Sequence, residues 1–159
     1  MSESDLSVTW ERELSQELLA TLVEMEIDAF GIGGMNEWFL PAFARHGAVF
    51  VLWHRRQPVG VAECMRDWED PATAYLFAFS IVAGKRGRGW GKVFLREICR
   101  RLSEMRIAKL ALTVAPENSR ALSLYRGAGF QRVKMIPDAY GPGTNRYYLI
   151  KTLAEEVKE

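Results

Sequence analysis

Cysteine, histidine and net charge are all scarce in this chain, and each scarcity removes a class of function. Among 159 residues there are 2 cysteines and 2 histidines. Cys64 and Cys99 allow one pairing and match no metal spacing, so they read as reduced, buried thiols rather than as a disulfide framework, a metal site or a catalytic cysteine. A formal net charge of +1 lacks the basic excess that nucleic-acid partners select. No apolar run approaches the ~20 residues of a membrane span, and Met1 to Asp5 is acidic where a signal segment would be basic. A cytoplasmic protein with no membrane partner is expected. Internal repeats and low-complexity linkers are also missing, and the length suits a single domain, 1–159, with an ordinary globular composition.

What is present alternates between strand and helix patterns. Leu6 to Arg12 reads as a first strand with Val8 and Trp10 on one face. Ser15 is a helix cap before Leu18, Leu19, Leu22, Val23 and Ile27, which recur at helical spacing until Gly31. Met35 to Arg45 predicts a second, shorter helix carrying Trp38, Phe39 and Phe43. Ala48 to His54 and Val59 to Trp68, joined through Arg55-Arg56-Gln57-Pro58, predict a hairpin. Ala74 to Val82 follows, apolar or small on both faces, which marks it as the centre of the sheet. Phe94, Leu95, Ile98, Cys99, Leu102 and Met105 then form a helical stripe. The strand Lys109 to Ala115, reached by that helical crossover, should lie parallel to its predecessor. Asn118 caps a fourth helix of about ten residues, and Gln131 to Ile136 and Arg146 to Leu153 close the chain as strands.

The fourth of these strands runs into the helical stripe through the chemically suggestive stretch Ile81-Val82-Ala83-Gly84-Lys85-Arg86-Gly87-Arg88-Gly89-Trp90-Gly91-Lys92. Glycine at alternate positions lets a backbone turn tightly and approach a ligand, and the helix that follows offers unpaired N–H groups and its positive dipole end. Lys85, Arg86, Arg88 and Lys92 add cations. A phosphate cradle results. The dinucleotide fingerprint fails, because the sixth position from Gly87 is Lys92, and the Walker loop fails, because Arg86 and Val93 stand where glycine and Ser/Thr belong.

Arg86-Gly87-Arg88-Gly89-Trp90-Gly91 does fit the Arg/Gln-x-x-Gly-x-Gly/Ala pattern and resembles the pyrophosphate motif of the GNAT superfamily of acyl-CoA N-acyltransferases. A second stretch, Ala115 to Phe130, resembles that superfamily's other signature, with Asn118, Ala121, Leu124-Tyr125 and Gly129-Phe130 at its spacings. The resemblance covers nearly the whole chain. It implies the α+β class: an α/β/α sandwich with a mixed, mainly antiparallel seven-stranded sheet, about four flanking helices, and strands 4 and 5 parallel and splayed around acyl-CoA.

The resemblance further implies an enzyme that moves an acetyl group from acetyl-CoA to a primary amine by direct attack in a ternary complex, with no metal. The backbone of Ile81, Val82 and Ala83 would meet the pantetheine arm, amides of Arg86, Gly87, Arg88, Gly89, Trp90, Gly91 and Lys92 the pyrophosphate, and Asn118 the pantetheine arm. Tyr125 matches the tyrosine that faces the cofactor sulfur. An alkyl thiolate with a pKa near ~8.5 can take a proton from a phenol at ~10, which makes Tyr125 the general acid. The base is less defined. Thr113 stands where some relatives carry glutamate, so Glu63, His54 and ordered water are the candidates. The acceptor side falls on Phe30 to Phe43 and Asp138 to Thr144, where Trp38, Phe39 and Tyr140 suggest an apolar wall and Glu37 and Asp138 a cation contact. A small amine or a peptide N-terminus fits, in a monomer or homodimer. Two rivals remain: a non-catalytic acyl-CoA-sensing module of the same fold, and a nucleotide-binding oxidoreductase, which the glycine spacing disfavours.

Overall fold

The computed structural model describes residues 5–153; the acidic start at Met1 to Ser4 and the end of the expected domain lie outside them. The element order is β1 (Leu6–Glu11), α1 (Gln16–Phe30), α2 (Phe39–His46), β2 (Ala48–His54), β3 (Gln57–Arg66), β4 (Thr73–Ile81), α3 (Trp90–Glu104), β5 (Lys109–Val114), α4 (Ser119–Gly127), β6 (Gln131–Ile136) and β7 (Arg146–Thr152). These strands form one mixed seven-stranded sheet in the order β1-β2-β3-β4-β5-β7-β6. β4 is its central strand, and the α+β class holds with four α-helices among the described residues.

The chain divides into two compact units, one made of residues up to Met65 with Phe77–Phe94, the other of Arg66–Leu76 with residues from Leu95 onward. In the first unit β1 pairs antiparallel with β2 from Leu6↔His54 to Glu11↔Val49, and β2 with β3 across a bulge at Leu52/Trp53. The hairpin turn places Arg55 and Arg56 at φ 50° and 66°, the left-handed pair that matches the twist of two-residue hairpins. Leu22 and Met25 of α1, Met35, Leu40 and Ala44 of α2 and its lead-in, and Val49, Val51 and Val61 of the strands form a buried cluster. Each Leu, Met or Val among them contributes about 1.5–3 kcal/mol on leaving water, and Ala44 less.

Ser15 caps α1 as expected, its Oγ accepting from Leu18 N at 3.1 Å. The second helix starts later than the sequence pattern predicts, at Phe39 rather than Met35. Asn36 is the reason. Its Oδ1 accepts from the backbone N–H of Trp38 and Phe39 at 2.9 and 3.2 Å, the side-chain competition that starts a helix instead of continuing one.

In the second unit the parallel β4–β5 register comprises Thr73↔Lys109, Ala74↔Leu110 and Tyr75↔Ala111. β5 pairs antiparallel with β7 from Lys109↔Thr152 to Val114↔Tyr147, and β7 with β6. Leu110, Ala111, Leu112, Val114 and Leu149 are buried there. Both cysteines are buried and neither is in a disulfide, Cys64 on β3 and Cys99 on α3. Among the described residues no helix is long and apolar enough to cross a membrane.

Candidate active site

The glycine turn is built where β4 ends. Val82 N donates to Val59 O at 2.9 Å, Lys85 N to Val82 O at 2.9 Å and Arg86 N to Ala83 O at 3.4 Å, so the chain curls through a single 3-10 turn after the strand. Gly87 and Gly89 then take φ values of 78° and 80°. Glycine reaches this region without cost, whereas an L side chain loses roughly 1–2 kcal/mol. A Cβ at either position would meet nothing within 4 Å, so the space beside both glycines is open. Helix α3 begins at Trp90, and Val93 N is the amide that returns to Gly89 O, at 3.3 Å. The amides of Trp90, Gly91 and Lys92 precede it in the first turn, where no intrahelical acceptor exists.

The cations around this turn are not equivalent. Arg86 folds back, its Nε donating to Ile81 O at 3.0 Å, and Arg88 stacks its guanidinium 5.3 Å from the Trp90 ring centroid. Trp90 in turn lies 4.7 Å from His54, ring to ring. The strand end has its own commitments: the N–H of Val82 is taken by β3, leaving its carbonyl lone pair and the amide of Ala83 as backbone groups for an extended ligand.

Glu63 lies opposite Val49 on β3, on the face that carries Val51 and Val61, and is fully buried. Opposing it is Glu26 of α1, also fully buried. Burial raises Glu63 well above the ordinary carboxylate range, and the hydrogen bond and negative charge of Glu26 push the same way. A second carboxyl in the same dry setting disfavours the charged form of Glu63, in the same direction as its burial. Glu26 Oε2 also accepts from Met35 N at 3.1 Å. That reach depends on Gly34, where a Cβ would stand 2.7 Å from Glu26 O.

In the second unit Asn118 caps α4, its Oδ1 accepting from Ala121 N at 3.1 Å, which leaves the side-chain NH2 for another partner. Tyr125 is 8% exposed, with its ring 5.5 Å from Phe130. Burial pushes its phenol up to about 12, against the opposing pull of the Arg146 charge. It stays protonated at neutral pH.

Thr113 on β5 is a junction. Its Oγ1 stands 3.1 Å from Tyr75 Oη and 3.4 Å from Tyr140 Oη, and accepts from Arg146 Nε at 3.3 Å, while Arg146 Nη2 donates to Thr113 O at 3.0 Å. The guanidinium also lies 5.3 Å from the Tyr140 ring. Asp138 is turned inward to its own loop, accepting from Gly143 N at 2.7 Å. Trp38 and Phe39 stand out in solvent, 79% and 59% exposed. Among the described residues no group of three or more His, Cys, Asp or Glu gathers as a metal site.

A model of the acetyltransferase (GNAT) family matches residues 11–130, a span that includes the glycine turn, Glu63, Asn118 and Tyr125. The chain belongs to this family. No curated protein matches it. Solved structures of N-acetyltransferases share its fold. The ribosomal-protein-S18-alanine N-acetyltransferase of Escherichia coli is 16% identical over 97% of this chain and 97% of its own, with a TM-score of 0.78. Arabidopsis thaliana Naa50, in complex with the bisubstrate analogue CoA-Ac-MVNAL, is 18% identical over 93% and 99%, with a TM-score of 0.76. A Bacillus subtilis acetyltransferase in complex with CoA is 15% identical over 94% and 99%, with a TM-score of 0.74.

Two site features of this GNAT chain escape the sequence. Glu26 sits inside the apolar run of α1, where its place at the buried edge of the stripe gives the one local hint. Arg146 follows a Gly-Pro-Gly loop with no local signal. It meets Thr113 because the β5–β7 register pairs Thr113 with Tyr148, two residues further along β7.

Proposed function

We propose that this protein is an acetyl-CoA-dependent N-acetyltransferase acting on a primary amine, with residues 1–159 working as one domain, since the family match runs through both compact units. The observation that carries the reading is the pair Gly87 and Gly89 at left-handed φ, leading into the unpaired amides of Trp90, Gly91 and Lys92. Such a concave run of N–H donors at a helix start suits a pyrophosphate. Arg86, Arg88 and Lys92 supply positive charge to it, and Ile81, Val82 and Ala83, with the NH2 of Asn118, would meet the pantetheine arm.

The neutral acceptor amine attacks the thioester carbonyl, the tetrahedral intermediate collapses with cleavage of the C–S bond, Tyr125 gives its proton to the departing thiolate, and the proton that the attacking nitrogen sheds as the amide forms restores the phenol by way of water. A phenol held neutral by burial is suited to that role. The proton lost by the ammonium goes to water, with Glu63 as the protein-borne base candidate acting through a relay, since its carboxyl is fully buried. Its raised pKa moves it toward the range in which a general base works.

The test is CoA thiol release from acetyl-CoA across a panel of amines, with the N-acetyl product identified by mass. The sensing-module reading draws its support from Thr113, a hydroxyl where a carboxylate base would stand. Tight CoA binding with no thiol release for any amine would select it.

A further inference from the structure

Arg146 carries more donor capacity than the fold uses. Its Nε–H and one Nη2–H are spent on Thr113, leaving both Nη1 hydrogens and the second on Nη2. Among the described residues no carboxylate forms an ion pair with it, whereas Arg45, Arg55, Arg100 and Arg101 each have at least one. The side chain is partly buried, where a lone guanidinium gains most from an anion.

The hydroxyls beside it have a matching surplus. Thr113 has a single proton to give, and its oxygen already accepts from Arg146. In the arrangement that satisfies all contacts, one of Tyr75 and Tyr140 donates to Thr113 and the other accepts from it. The phenol that accepts keeps its own O–H for a ligand. Burial lifts Tyr75 above the ordinary phenol range, so it keeps that proton at neutral pH. A forked cation and a phenolic O–H thus converge at one partly open place, and the Arg146 charge is felt at Tyr125. Fork geometry selects a planar, two-oxygen anion.

We propose that Arg146, with the hydroxyls of Tyr75 and Tyr140, binds a carboxylate on the acceptor, so that the amine acetylated is that of a free amino acid. This rests on the acetyltransferase reading and narrows its substrate. A purely structural Arg146, pinning the start of β7 to the end of β5, would be indifferent to the charge of the acceptor.

The experiment measures thiol release by the full chain with the twenty standard amino acids, their C-terminal amides and short peptides. The best amino acid should exceed its own amide in kcat/KM by ~10- to 100-fold, the span expected for a charge-assisted fork. Arg146→Gln should lower the acid alone and erase the difference, Arg146→Lys should restore part of it, and Tyr140→Phe, at an exposed position, should reduce the ratio without affecting folding. Equal use of acid and amide, preference for peptides, or a ratio unchanged in folded Arg146→Gln overturns the proposal. If no amine is acetylated, the enzymatic reading fails separately. The carboxylate site is then decided by saturation-transfer NMR with N-acetylglycine and N-acetylleucine against their amides. Selective binding of the acids, lost in Arg146→Gln, sustains it; equal or absent binding of the acids overturns it.

Discussion

At the scale of single residues, the phenol of Tyr125 separates catalysis from packing, because removing its oxygen leaves the ring against Phe130. Tyr125→Phe should keep CoA affinity and lose kcat by ~10²–10⁴-fold, the usual contribution of a positioned acid. Steady-state kinetics at saturating acetyl-CoA with the best acceptor checks this, and an unchanged kcat ends the acid role. Tyr125 was legible in the sequence because its motif is local, running from Asn118 to Phe130 on α4 and its ends. Arg146 was not, because its importance arises from a β5–β7 register that no short stretch encodes. Glu63 was legible as a candidate without its setting: alternation puts it on a face of β3, but the opposing carboxyl comes from α1.

Among the elements, the turn between β4 and α3 makes the sharpest demand on its residues. Gly89→Glu puts a carboxylate beside the turn and an L side chain at φ 80°, with no neighbour for its Cβ to strike. The fold should survive the strain while CoA binding falls by at least ~10²-fold, about 3 kcal/mol, in calorimetry. Undiminished affinity in a folded variant would remove the phosphate assignment. The β2–β3 hairpin offers the opposite case. Arg56 sits at φ 66° with a full side chain, so Arg56→Gly should raise stability by ~1 kcal/mol in chemical denaturation. Periodicity and turn chemistry predicted each strand to within two residues; β3 departs most, at both ends, running Gln57–Arg66 where the pattern gave Val59 to Trp68. Asp67 ends it, its Oδ1 accepting from Glu69 N and Asp70 N at 2.8 and 3.1 Å.

For the molecule as a whole, the sequence conveyed the sheet's strand count and the family, because two motifs in order constrain everything between them. It could not convey that two fully buried carboxyls, Glu26 and Glu63, face each other inside the first unit. That choice has a global consequence. Glu63 has its folded-state pKa raised above the unfolded value of about 4.5. Below that value both states are protonated and nothing is lost; as pH rises toward the folded pKa, the unfolded state releases a proton that the folded state retains. The native state therefore loses stability with rising pH, by roughly 1.4 kcal/mol per pH unit for a single proton, until the folded group ionises. Glu63→Gln keeps the shape and a hydrogen bond to Glu26 but has no proton to lose. The variant should be more stable than the wild type at pH 8, with the difference shrinking toward pH 4.5, as read by denaturant midpoints across that range. A difference that stays flat with pH would mean that the carboxyl of Glu63 titrates alike in the folded and unfolded protein, and its raised pKa would have to be abandoned.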